Sequence, residues 1–284
     1  MKIIKLAVQG FRSLKDVEWE PGDLNVVIGP NGAGKSNLLR LLELLSVLAT
    51  GGLGKYIQSL GGMEPLVWDG QASSIVIRVK TTPVDASRDI KKDSMTYGVR
   101  LARLGTGSAY RIDDETLENP YRMELGSYKT PLTFLHRHNR TARVHDEHEH
   151  QLETFEEPPD EETILSLATG AFFPNRLIAM FQQQMASWSV YHDFHVNRDA
   201  LVRQPAVARP ETRVDPDGQN LISVLHTLYS ESREFKYQIN TAMRAAFGSD
   251  YEELSFPPAA DQRIQLRVRW RSLKRGQSAA DLSD

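Results

Sequence analysis

The sequence predicts an α/β fold for a chain of 284 residues. Short apolar runs bounded by turn residues indicate strands, the first of them at residues 3–8. Leucines recur at helical spacing in the stretch that begins at Lys35, and the glycines at 51–52 end that pattern. The apolar run from Asp23 to Ile28 precedes the helix and leads into glycine-rich sequence. That order predicts a buried strand, a loop and a helix.

The composition excludes several classes of protein. The chain is 40% hydrophobic and 25% charged, which is typical of globular proteins. Its formal net charge is −3, so nucleic acid would need a local basic patch. There is no cysteine, which excludes disulfides and thiolate metal sites and suits a reducing cytoplasm. The most apolar stretch, Leu38 to Ala49, is shorter than the about 20 residues that span a bilayer. We therefore expect a soluble, cytoplasmic protein without a membrane partner.

The glycine-rich segment has the spacing of a phosphate-binding loop, Gly-x-x-x-x-Gly-Lys-Ser. Its glycines let the backbone curl so that several N–H groups point at one set of phosphate oxygens. Lys35 is predicted to reach the β- and γ-phosphates, and the Ser36 hydroxyl to ligate Mg²⁺. The start of the helix adds unpaired N–H groups and a positive dipole end. We expect a nucleoside triphosphate, ATP with Mg²⁺. The predicted nucleotide contacts are Gly29, Asn31, Gly32, Ala33, Gly34, Lys35, Ser36 and Asn37.

Other nucleotide-binding classes fit less well. A dinucleotide fingerprint would need a third glycine at the position of Asn37. A GTPase would carry an Asn-Lys-x-Asp element, which the sequence lacks. A small-molecule kinase would need a lid and an acceptor site, and neither is recognisable. An apolar strand that ends in a Mg²⁺-holding carboxylate is also not evident, because Asp69 and Asp193 are poor matches.

Two segments carry a family resemblance. Residues 10–14, Gly-Phe-Arg-Ser-Leu, and residues 26–39 resemble the start of the RecF/SMC-like branch of ABC-type ATPases. More narrowly, they are similar to the bacterial predicted ATPases of AAA type that are related to RecF and to OLD-family nucleases. The match is dense only over residues 10–39, the N-terminal part of the chain. The resemblance implies a P-loop fold like the first lobe of an ABC-ATPase head, with an antiparallel β-subdomain and a helical segment. It also implies that Arg12 lies beside the nucleotide.

The resemblance further implies how such a head would work. Two heads would sandwich ATP, and the signature motif of one would complete the site of the other, in DNA repair or antiviral defence. The implied partners are a second head, DNA and an effector protein. Leu282-Ser283-Asp284 matches the opening of that signature motif. We therefore expect an incomplete head that depends on a downstream segment or partner for catalytic carboxylates. The alternative is a nucleotide-sensing or scaffold subunit that binds ATP without hydrolysing it alone.

The predicted organisation is one partial head over residues 1–284. Its four segments are a nucleotide-binding lobe at 1–112, a polar loop insertion at 113–160, a helical segment at 161–250, and a strand leading to the truncated signature at 251–284. The histidines of the insertion are expected to be solvated rather than metal-bound. Four arginines alternate along the last strand, at 263, 267, 269 and 271. They are expected to form its solvent face, with contact to DNA or RNA as the alternative.

Overall fold

The computed structural model describes residues 1–105, 107, 109–126, 128–169, 173–191 and 194–282. Contacts divide the chain into two units, Met1–Trp188 and Ser189–Asp284. Helices and sheets occur in both units, which confirms the predicted α/β class. The phosphate-binding loop and Arg12 both lie in the first unit.

The first unit is built on an eight-stranded sheet in which every neighbouring pair is antiparallel. Its strands are β1 (Ile3–Phe11), β2 (Leu14–Trp19), β3 (Ser74–Thr81), β4 (Met95–Arg103), β5 (Tyr110–Asn119), β6 (Leu132–His138), β7 (Thr141–His145) and β8 (Gln151–Glu156). The spatial order is β2-β1-β3-β4-β5-β6-β7-β8, so β1 pairs with both β2 and β3. Strands β3 to β8 follow one another in sequence across the sheet and form an antiparallel meander.

Among the described residues, six α-helices accompany this sheet, and the first of them carries the phosphate-binding loop at its N-terminus. They are α1 (Lys35–Thr50), α2 (Leu53–Ser59), α3 (Ile90–Asp93), α4 (Tyr121–Glu124), α5 (Ile164–Leu167) and α6 (Arg176–Ala186). Helix α1 begins after Gly34 and ends at Gly51, as its leucine pattern predicts. Leu41, Leu45 and Leu48 on α1 are fully buried, in one hydrophobic cluster with inward-facing residues of the sheet. This packing anchors the helix that follows the loop.

The predicted buried strand at residues 23–28 is wrong. The structure has no strand there, and Leu24 and Ile28 are 86% and 88% exposed. An apolar run becomes a buried strand only when neighbouring strands satisfy its backbone groups and other elements cover its faces. Among the described residues no strand pairs with this run. The loop and helix of the predicted strand–loop–helix order are present without the strand.

The predicted polar loop insertion at 113–160 is also wrong, because most of it belongs to β5, β6, β7 and β8. The segment is rich in charged residues, yet alternate positions such as Leu135 and Val144 are fully buried. Glu115 and Arg137 are fully buried as well, and they lie opposite each other in the β5–β6 register. These two charged residues stand at core positions, so the apolar alternation that reveals a strand is interrupted.

The second unit holds residues from the two remaining predicted segments. Its elements are α7 (Leu221–Glu231), α8 (Arg233–Phe247), β9 (Ala206–Val207), β10 (Tyr251–Ser255), β11 (Arg263–Ile264), β12 (Arg267–Trp270) and β13 (Gln277–Ser278). The predicted helical segment 161–250 contains α5 to α8, and the boundary at 188/189 falls inside it. The predicted strand of 251–284 is divided among four strands, because β10, β12 and β13 form one sheet while β11 pairs with β9. Ser283 and Asp284 lie outside the described residues.

Strand β1 requires glycine at position 10, near its end and against β3. Gly10 has a φ of +76°, and a Cβ there would lie 2.5 Å from the carbonyl oxygen of Ser74 on β3. We expect Gly10→Ala to lower the free energy of unfolding by more than the about 1–2 kcal/mol that left-handed backbone costs an L-residue. Gly105→Ala is the matched control, because Gly105 has a φ of +67° with nothing within 4 Å. Urea denaturation of both variants measures the difference, and equal losses would contradict the predicted clash.

Candidate functional site

The phosphate-binding loop lies on the surface at the N-terminus of α1. Gly32 and Gly34 have φ values of +85° and +91°, the left-handed conformation that glycine adopts without strain. Lys35 begins the helix, and its Nζ donates hydrogen bonds to the carbonyl oxygens of Gly29 and Pro30, at 2.7 and 2.8 Å. The lysine ammonium therefore folds back over its own loop. A cation in this position can meet a phosphate group that the loop holds.

The first turn of α1 presents the other groups that a phosphate needs. In helix geometry the first N–H groups have no partner within the helix. Gly34 caps α1 without a side-chain hydrogen bond, so no side chain covers these groups at the cap. Ser36 follows Lys35 on this turn and is exposed. A Ser36 hydroxyl in this place is a hard oxygen ligand of the kind that Mg²⁺ prefers.

The turn between β1 and β2 packs against this first turn of α1. The Nδ2 of Asn37 donates a hydrogen bond of 2.8 Å to the Oγ of Ser13. A Cβ at Gly34 would lie only 2.6 Å from the same Oγ. Glycine at position 34 is therefore needed for two reasons, its left-handed backbone and the close approach of Ser13. The side chain of Asn37 points to the turn, which the loop spacing did not predict.

Arg12 lies beside Ser13 in that turn and adopts a φ of +47°, which is uncommon for a residue with a side chain. Its backbone N–H donates a 2.8 Å hydrogen bond to the carbonyl oxygen of Leu66. Its Nε is buried and has no hydrogen-bond partner in the part of the chain that the structure describes. Burial lowers the pKa of Arg12 from its ordinary value, and the positive charge of Arg40 lowers it further.

An open cleft of about 530 Å³ adjoins Arg12, and Glu64 and Asp69 line it too. The structure thus brings Asp69, a weak candidate from sequence, to the same cleft as Arg12. The other weak candidate, Asp193, lies outside the described residues. Ser13 was not predicted as a site residue. Its position next to Arg12, in the segment that carries the family resemblance, was the one signal that could have identified it.

The described residues also bear on two expectations from the sequence, one about metal-binding histidines and one about membrane-spanning segments. Within them, no group of three or more His, Asp or Glu side chains is placed to hold a metal ion. The same residues include no helix that is both long and apolar enough to cross a membrane. The histidines of the predicted insertion lie on β6, on β7 and in the turn that follows β7, where Asp146 accepts hydrogen bonds from the backbone N–H groups of His148 and His150.

The N-terminal part of the chain, which carries the loop, is similar to known ATPases. Residues 1–94 match the AAA ATPase domain family. That range contains the loop, Arg12 and helix α1, so the predicted resemblance to ATPases of this kind is confirmed for the N-terminal part of the chain. The family implies ATP as the ligand.

Two curated relatives match over shorter segments. The OLD nuclease of Thermus scotoductus is 44% identical over 41 residues, 14% of this chain and 8% of that protein. The phosphonates import ATP-binding protein PhnC of Thiobacillus denitrificans is 47% identical over 51 residues, 17% of this chain and 20% of that protein. The matches therefore span a small part of either relative. A chain solved in a study of ATP-driven dimerization and DNA-stimulated activation of SMC ATPases is 20% identical, with a TM-score of 0.32 over 42% of this chain and 70% of that one.

Proposed function

We propose that the chain binds ATP with Mg²⁺ through the loop at residues 29–36. The observation that carries the proposal is Lys35, whose Nζ lies over the loop at the N-terminus of a helix anchored by buried leucines. Lys35 would bind phosphate oxygens together with the N–H groups of the loop, and Ser36 would hold the metal. Mg²⁺ would neutralise part of the phosphate charge when bound.

We further propose that two heads pair through the bound ATP. Residues Gly29 to Ala33 are all exposed, so a nucleotide held by the loop remains accessible to a second chain. Such a nucleotide would belong to both heads, and its hydrolysis would release them. A phosphate-binding loop alone does not provide the groups that stabilise the transition state and orient the attacking water, so pairing of two such loops does not by itself complete a hydrolytic site.

The process that this module serves is proposed from its relatives. The OLD nuclease match points to work on nucleic acid, in DNA repair or in antiviral defence. DNA and an effector protein are then the expected partners beyond the second head. The lack of cysteine suits an ATPase that acts in the reducing cytoplasm.

Light scattering of the purified chain with and without ATP–Mg²⁺ tests the pairing, and phosphate release in the same samples tests turnover. We expect ATP to increase the dimer fraction and ADP to leave it unchanged. We expect negligible phosphate release from the 284 residues by themselves, because positioning and charge stabilisation supply nearly all of the rate in phosphoryl transfer. A strictly monomeric chain at saturating ATP would contradict paired heads and favour the nucleotide-sensing subunit. Robust turnover that Lys35→Ala abolishes would contradict the second expectation, and Asp69 would be the first carboxylate to substitute.

A further inference from the structure

We propose that Ser13 is a positioning residue of the nucleotide site, which holds Arg12 against a phosphate group of the bound nucleotide through its hydrogen bond with Asn37. The inference rests on the proposed ATP binding. It adds a connection between the loop and the β1–β2 turn. The connecting residues are separated by 24 positions in the chain.

The turn is anchored to the loop at close range. The Ser13 Oγ accepts a hydrogen bond of 2.8 Å from the Nδ2 of Asn37 and also lies against Gly34. The backbone N–H of Asn37 is used as well, because it donates a hydrogen bond of 2.9 Å to the carbonyl oxygen of Gly34. Both donor groups of Asn37 thus serve contacts within the protein. Asn37 therefore fixes the geometry of the first helical turn and of the β1–β2 turn together.

Arg12 is held on its other side by the sheet. Phe11 is fully buried and pairs with Leu14 across the turn. The Arg12 N–H is bound to the Leu66 carbonyl oxygen at 2.8 Å. With Ser13 bound to Asn37 and Arg12 bound to Leu66, the turn is fixed at both ends. Such constraint maintains the positive φ of Arg12, and residues held in sparsely populated conformations cluster at ligand sites.

The Arg12 side chain keeps a donor for an anion, on a cleft that the carboxylates of Glu64 and Asp69 also line. Its buried Nε has no hydrogen-bond partner among the described residues, and a buried donor without a partner is costly. The nearby Arg40 adds positive charge rather than compensating it. A phosphate oxygen would satisfy the Nε and relieve the repulsion between the two guanidinium groups. The Ser13–Asn37 contact connects this turn directly to the loop that would bind the nucleotide. The phosphate group is therefore taken to be one of that nucleotide.

A double-mutant cycle on ATP affinity tests the inference. The titrations compare wild type, Ser13→Ala, Arg12→Ala and the double variant, with ATP–Mg²⁺ as the probe. We expect Arg12→Ala to weaken binding about 10-fold and Ser13→Ala about 5-fold, as charge-assisted hydrogen bonds are lost or misplaced. The double variant should bind no more weakly than Arg12→Ala, because Ser13 acts through Arg12. A product of the two separate effects, about 50-fold, would overturn the inference.

Two further variants separate positioning from general damage. Asn37→Ala removes the same hydrogen bond from the other side and should reproduce Ser13→Ala in affinity. Ser87→Ala is the matched control, because it removes an exposed serine hydrogen bond of 2.8 Å to Asp85 and should bind ATP like wild type. Wild-type affinity in both Ser13→Ala and Asn37→Ala would overturn the positioning role while leaving ATP binding intact. If Lys35→Ala binds ATP as tightly as wild type, the proposed site itself fails and the inference with it.

Discussion

Lys35→Ala should lower the affinity for ATP–Mg²⁺ at least about 10-fold while the chain stays folded. The ammonium that folds over the loop, 2.7 Å from the Gly29 carbonyl oxygen, is the charge that meets the phosphates. Hydrogen bonds to charged groups contribute about 1.5–3 kcal/mol each, and a 10-fold change in affinity corresponds to about 1.4 kcal/mol. Isothermal titration with ATP–Mg²⁺ measures the change, and circular dichroism verifies that the fold is retained.

Lys55→Ala is the matched control for this experiment. Lys55 is an exposed lysine on α2, in the same unit. Its substitution removes the same charge at a position away from the loop. We expect Lys55→Ala to bind ATP like wild type. Overlapping titration curves for wild type and Lys35→Ala would refute the nucleotide site at this loop. Equal weakening by both lysine variants would show that net charge, rather than the position of Lys35, determines affinity.

Arg137→Ala should lower the free energy of unfolding by at least about 2 kcal/mol, because it empties the space of a fully buried side chain and removes the hydrogen bonds of its guanidinium. Arg137 is fully buried, and its guanidinium donates to the carbonyl oxygens of Glu162 and Pro159 at 2.8 and 3.0 Å. Its opposite neighbour Glu115 accepts the backbone N–H of Ile164 at 2.7 Å. The pair therefore fastens the segment that leads into α5 to the sheet, and the substitution leaves Glu115 buried without its neighbouring positive charge.

Urea denaturation measures this loss, with Arg140→Ala as the control. Arg140 forms an ion pair of 2.8 Å with Glu157, and both side chains are more than 70% exposed. Exposed pairs contribute about 0–1 kcal/mol, so the control should unfold close to wild type. A loss in Arg137→Ala no larger than that in Arg140→Ala would contradict the structural role of the buried arginine. The ATP affinity of Arg140→Ala should equal that of wild type.

The sequence by itself determined the local features of the site. Helix α1 follows from leucine spacing and from the glycines that precede and end it, because these signals act within a few residues. The loop follows from the spacing of Gly29, Gly34 and Lys35 for the same reason. The strands β3 and β4 were also predictable, since their apolar residues alternate without interruption at the core face.

Only the tertiary structure decided what depends on distant partners. The run at 23–28 has a strand-like sequence but no neighbouring strand among the described residues, and burial of a strand requires neighbours. The strands β5 and β6 were hidden because the charged residues Glu115 and Arg137 stand at core positions, where hydrogen bonds to a distant segment make their burial tolerable. The contact between Ser13 and Asn37 likewise joins two segments that no local pattern relates. Local spacing therefore determines the phosphate loop and its helix, whereas contacts between distant segments determine what surrounds them.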